Sequence, residues 1–153
     1  MPSTSLPPDP ANGCFGCGGA NERGMRLAFE KDDAARRIRG TFRLGAEYQG
    51  GPGFVHGGII ATLLDEVMGK VGRFRSVRTV TAELQIEYLR PVPVDEDIVV
   101  EGWEVEKQGR NLFHAGEIRS VSGAVLARGK GRFVEIDPGI YYGEGSAVKT
   151  RTV

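Results

Sequence analysis

The chain has 153 residues, 20 basic and 20 acidic, with 26% charged and 40% hydrophobic side chains. This is the composition of one ordinary globular domain with enough residues for a core. Zero net formal charge gives no electrostatic reason to expect nucleic acid or an anionic membrane as partner, and it offers little repulsion against self-association.

Residues 1–13 are rich in Pro and Ser, lack the apolar core of a signal peptide and read as a flexible arm. No apolar run approaches the ~20 residues of a membrane-spanning helix, so the sequence reads as cytoplasmic with no membrane partner. Cys14 and Cys17 then form a Cys-x-x-Cys pair in a Gly-rich turn region. A metal site needs about four ligands and neither histidine is near in sequence. The pair therefore reads as a structural turn with buried thiols, ahead of a metal or redox role, and no metal or cofactor is expected.

Met25, Leu27 and Phe29 alternate with polar neighbours and predict a short strand, closed by a turn at residues 31–33. Ile38, Gly40, Phe42 and Leu44 predict a second strand. A helix is predicted over residues 57–72, where Ile59, Ile60, Leu63, Leu64, Val67, Met68 and Val71 make a wide apolar face. Val80, Ala82, Leu84, Ile86 and Tyr88 alternate with Thr81, Glu83, Gln85 and Glu87 in a third strand, ended by Arg90-Pro91-Val92-Pro93. Strands at 98–107, 111–121 and 124–136 follow as a meander with Gly-containing turns. Gly102, Gly116, Gly129 and Gly131 inside these strands point to bends or close approaches, and so to a curved sheet. Residues 137–153 read as a tail. The pattern is α+β: one long helix wrapped by a curved antiparallel sheet of about five to six strands, spanning residues 14–136.

On the other side of the helix, Gly58, Thr62, Asp65, Gly69 and Gly72 form a small polar stripe, with Asp65 at its centre. Each glycine costs ~1 kcal/mol against alanine in a helix, which argues for a ligand or another backbone coming close rather than a solvated face. The usual Ser, Thr, Asp or Asn cap is missing at 55–57. Gly57 and Gly58 would leave the first-turn N–H groups uncovered, able to hold an anion or a developing oxyanion, with His56 beside them. Asp65 lies roughly 10 Å further along the axis at 1.5 Å per residue. It would instead face Gly57 and Gly58 of a second, antiparallel copy, making a two-fold dimer with composite sites. Glu66 is the rival acid but falls about 100° around the helix, outside the stripe. His114 reads as structural. Arg90, Lys107 and Arg110 are candidates for phosphate contacts or solvated surface.

His56-Gly57-Gly58 with an acid nine residues after the histidine resembles the hotdog-fold acyl-CoA thioesterases of the PaaI-like group. The likeness extends over Gln49-Gly50-Gly51-Pro52-Gly53-Phe54-Val55, Ile60-Ala61-Thr62-Leu63-Leu64, Thr81-Ala82-Glu83-Leu84 and Tyr88-Leu89-Arg90-Pro91-Val92-Pro93. It implies the hotdog fold, dimers that often pair into tetramers, and hydrolysis of an acyl-CoA to free acid and CoA. It also implies roles: Asp65 as general base or nucleophile, Gly57 and Gly58 as the oxyanion turn with His56 as neighbour, and Thr81 as a positioning hydroxyl. Gln49, Thr62 and Arg90 are candidate substrate contacts. A non-catalytic acyl-CoA-binding module on the same fold, and a hotdog hydratase or dehydratase, are the rival readings.

Overall fold

In a computed structural model, which describes residues 3–137, the described chain forms one α-helix and one seven-stranded antiparallel sheet. The strands are β1 (Thr4–Leu6), β2 (Phe29–Asp32), β3 (Arg37–Arg43), β4 (Thr79–Tyr88), β5 (Asp97–Gln108), β6 (Asn111–Ser120) and β7 (Val125–Glu135). The helix α1 (Gly57–Lys70) runs into a 3₁₀ turn at Val71–Arg75. Sheet order is β1-β2-β3-β5-β6-β7-β4, so β4 crosses to the far edge while β5, β6 and β7 form the expected meander. No helix of the described residues is long and apolar enough to cross a membrane.

Three expectations change. The seventh strand is β1, drawn from the arm: Thr4, Ser5 and Leu6 pair with Lys31, Glu30 and Phe29. The first predicted strand shifts forward to Phe29–Asp32, because Met25 and Leu27 spend their N–H groups on Phe15 and Gly16 instead of on a neighbouring strand. The helix stops at Lys70 rather than 72, tightening into the 3₁₀ turn. From residue 138 on, the expected tail lies outside the described residues.

The helix lies in a trough of the sheet. Ile60, Leu63, Leu64, Val67 and Met68 are buried, and full burial of such side chains contributes roughly 1.5–3 kcal/mol each. The trough is made by glycine. Gly102 of β5 stands opposite Gly116 of β6, which stands opposite Gly129 of β7. A Cβ on Gly102 would come to 3.0 Å from the Val67 carbonyl oxygen, one on Gly116 to 3.2 Å from Met68 Cγ, and one on Gly129 to 3.0 Å from Met68 Cε. The strand glycines thus mark close approach, and the helix backbone sinks toward the sheet along that row.

Candidate active site

The start of α1 carries a cap. His56 is the N-cap residue, with φ −59° and ψ 138°, and its Nδ1 accepts from the Gly58 N–H at 2.8 Å. This corrects the expectation of an uncovered N-terminus. Imidazole fills the place usually taken by a Ser or Asp oxygen, satisfying the second N–H of the helix. A neutral imidazole that accepts at Nδ1 carries its proton on Nε2, so His56 presents an outward N–H. Among the described residues nothing accepts from the Gly57 N–H, while the Gly57 carbonyl accepts from the Tyr88 hydroxyl at 2.8 Å. Tyr88 was part of the recognised motif but not a candidate site residue. Its only sequence signal was its position at the end of an alternating strand before Arg-Pro.

Thr62 donates its hydroxyl to the Gly58 carbonyl at 2.9 Å, one turn back. Gln49 is exposed, and its Oε1 accepts from the Gly53 N–H at 3.3 Å, bracing the loop that leads into the helix. Gly50 of that loop packs against His56. Arg90 is exposed beyond Tyr88, whereas Lys107 and Arg110 bond to the carbonyls of Gly109 and Glu135.

Two turns along the helix, Thr81 of β4 donates its hydroxyl to Asp65 Oδ1 at 2.7 Å. A β-bulge makes this contact. Thr81 stands opposite Phe133 and Glu83 opposite Arg132, which leaves Ala82 unpaired. Plain alternation would put Thr81 on the face opposite Leu84 and Ile86. The extra residue switches the phase, so that Thr81 shares the helix-facing side with Ile86 and Tyr88. Asp65 and Thr81 line a cavity of about 590 Å³ between α1, the 3₁₀ turn and β4. Gly69 lies on its wall with room at its missing Cβ, the nearest atom being a Phe133 ring carbon at 3.8 Å. Of the small stripe, Asp65 and Gly69 thus line open space, whereas a Cβ on Gly72 would come to 3.4 Å from the Val77 carbonyl oxygen. The structure brings Asp65 and Thr81 together, and His56, Gly57, Gly58 and Tyr88 together, as two clusters on one helix.

Glu66 turns away from Asp65 toward the Cys-x-x-Cys turn. Its Oε1 accepts from Cys14 Sγ at 3.6 Å, and Lys70 Nζ donates to Cys17 Sγ at 3.0 Å. Burial pushes the Cys17 thiol up to about 11, against the opposing pull of Lys70. His114 is buried, its Nδ1 lies 2.7 Å from the Met68 carbonyl, and it stacks on Phe133. Burial holds it below the ordinary imidazole range.

A family model described as thioesterase superfamily matches residues 52–127. The chain is 35% identical over 116 residues to the acyl-coenzyme A thioesterase THEM4 of Rattus norvegicus, covering 75% of this chain and 50% of that protein. The chain spans about half the length of this relative and of its Mus musculus counterpart. Among solved structures, the thioesterase superfamily protein RHA08564 superposes with a TM-score of 0.74 at 34% identity, covering 80% of this chain and 60% of that one. The Escherichia coli PaaI protein superposes with a TM-score of 0.63 at 18% identity, covering 67% of this chain and 74% of its own, and so shares the fold. The family model, the sequence relatives and the superposition agree: this chain is a member of the thioesterase superfamily, with the hotdog fold.

Proposed function

We propose that the protein hydrolyses an acyl-CoA thioester to the free acid and CoA. The observation that carries this is the Asp65 carboxylate, held by the Thr81 hydroxyl at 2.7 Å on the wall of a 590 Å³ cavity. Relatives named acyl-coenzyme A thioesterase support the substrate class. Thr81 occupies Oδ1 and fixes the plane of the carboxylate, leaving Oδ2 to take a proton from water. The water adds to the thioester carbonyl, the tetrahedral intermediate collapses, and the CoA thiolate leaves and is protonated. A thioester needs no activated Ser or Cys for this.

The negative charge that develops on the carbonyl oxygen calls for a donor, and the Gly57 N–H at the positive end of α1 supplies it. Gly58 joins only if His56 releases its N–H; otherwise His56 serves by keeping the turn in shape and by offering Nε2–H. Asp65 is too far along the helix for its own Gly57, so the donor comes from a second copy. That makes the working unit a homodimer, with pairing of dimers as a further level. Arg90, beyond Tyr88 at the same end, is the candidate contact for CoA phosphate, with Gln49 and Thr62 shaping the loop and first turn behind it. A cytoplasmic location, the reading of the sequence, is a separate proposal, which fractionation with an antibody to the chain would check.

The test is steady-state hydrolysis of a panel of acyl-CoAs by wild type and Asp65→Asn. Wild-type turnover with release of free CoA thiol, reduced ~100-fold or more in Asp65→Asn with KM little changed, is the expected result. Equal rates in both proteins would exclude Asp65 as the base. Binding without thiol release would instead indicate a non-catalytic acyl-CoA module, and altered acyl chains without hydrolysis a hydratase. Single turnover in ¹⁸O water tests the covalent route: label in the Asp65 side chain requires that the carboxylate first attack the thioester and that water then open the anhydride at the Asp65 carbonyl.

A further inference from the structure

The Cys14-Phe15-Gly16-Cys17-Gly18 turn meets the helix at a third ligand type that sequence spacing cannot show. Sγ of Cys14, Sγ of Cys17 and one carboxylate oxygen of Glu66 all lie within 4.8 Å of one another, each residue half-buried. Cys14 Sγ and Glu66 Oε1 are 3.6 Å apart. A tetrahedral zinc ion with bonds of about 2.3 Å to sulfur and 2.0–2.2 Å to oxygen separates such ligand atoms by roughly 3.5–3.8 Å. The three atoms therefore need at most a small contraction to surround one ion.

The chain is built to hold them there. Gly18 donates its N–H to the Cys14 carbonyl at 2.9 Å, and the Cys14 N–H is held by Asn12 Oδ1 at 2.7 Å. A Cβ on Gly16 would come to 2.4 Å from the Glu66 carboxyl carbon, so the turn sits directly on that side chain. Charge closes as well. Two thiolates and a carboxylate around a divalent ion leave one negative charge, and the Lys70 ammonium, 3.0 Å from Cys17 Sγ, offsets it while donating to the thiolate.

We propose that Cys14, Cys17 and Glu66 bind one zinc ion, with water from the adjoining cavity as fourth ligand. Cys17, Glu66 and Lys70 line the same cavity as Asp65, so the ion pins the N-terminal turn to the stretch of helix that carries the carboxylate. Soft thiolates with a carboxylate select zinc over magnesium or calcium. This site is independent of the hydrolytic reading and stands or falls separately from it.

The full chain, reduced with a phosphine and stripped with a chelator, is titrated with zinc alone by calorimetry and with cobalt(II) by absorption. One ion per chain is expected, with thiolate-to-cobalt charge-transfer absorption and the visible bands of a tetrahedral centre. Glu66→Gln should weaken binding at least about tenfold with an unchanged circular dichroism spectrum, and Cys14→Ser by more. A hundredfold excess of zinc over its Kd should raise Tm by about 5 °C or more. Zinc binding no tighter than in the Cys14→Ser/Cys17→Ser double variant overturns the proposal. So does a Glu66→Gln protein that binds as tightly as wild type, and so does a reduced wild type that takes up cobalt without charge-transfer absorption. The last two outcomes do not require the cysteine variants to fold.

Discussion

At the first turn of α1 two adjacent N–H groups have different fates. Gly58 gives its proton to His56 Nδ1, while Gly57 keeps its own, with its carbonyl fixed by Tyr88. Gly57 follows the N-cap directly, the helical position at which proline is best tolerated. The residue before it, His56, already has the extended ψ of 138° that a following proline demands. A Cβ on Gly57 would meet only the Tyr88 ring, at 3.5 Å, ordinary contact. Gly57→Pro therefore deletes one N–H and disturbs little else. Loss of a single oxyanion donor typically lowers kcat about 10²- to 10³-fold. That loss is expected here, with Tm within a few degrees of wild type and KM changed less than kcat. A variant that keeps wild-type kcat would remove Gly57 from the mechanism. The sequence pointed to this turn through its glycines but could not divide the labour between them. Histidine is not among the habitual N-caps, so the cap itself was invisible until the ring was placed.

Among the elements, the helix was legible because its apolar spacing repeats with the helical period over four turns. The sheet was legible in outline for a parallel reason, period-two alternation. Alternation misleads where one residue is added. Read straight, β4 sets Thr81 beside Glu83 on the polar side, and nothing in Thr81-Ala82-Glu83 announces that Ala82 is unpaired. The resemblance to a known family brought Thr81 forward; the periodicity did not. The meeting of Glu66 with Cys14 and Cys17 was hidden by distance along the chain, since 52 positions separate Cys14 from Glu66. The strand glycines were legible as a cost, and the structure shows what the cost obtains. With Gly102 the tightest neighbour is the backbone carbonyl of Val67 at 3.0 Å, which cannot rotate away as a side chain could. Gly102→Ala is therefore expected to lift α1 from its trough and to destabilise the protein by about 1–3 kcal/mol, the usual cost of overpacking a core. Urea unfolding measures it. Because α1 carries both clusters of the site, activity should fall along with stability. An alanine variant as stable as wild type would show that the trough is not closely fitted.

The molecule as a whole leaves β4 at the edge of the sheet. It is ten residues long, paired only to β7, and Leu84 and Tyr88 on it are exposed. A long edge strand with exposed apolar side chains is a surface that proteins normally cover. A second copy laid antiparallel against β4 would cover it, continue the sheet and bring two α1 helices side by side in opposite directions. Asp65 of each copy then approaches Gly57 of the other, the arrangement the proposed chemistry needs. A 16.5 kDa chain should then sediment near 33 kDa, twice its own mass. The sharper test is complementation. Asp65→Asn and Gly57→Pro homodimers each carry one defect in both of their sites and should be nearly inactive. In a mixed dimer one site receives both defects and the other receives neither. Free exchange at equal concentrations makes half the dimers mixed, with one of two sites intact, so about a quarter of wild-type activity should return. If each site lay within one chain, mixing would restore nothing, because every site would keep its single defect. Recovery that grows with the time allowed for subunit exchange is the signature of sites shared between chains.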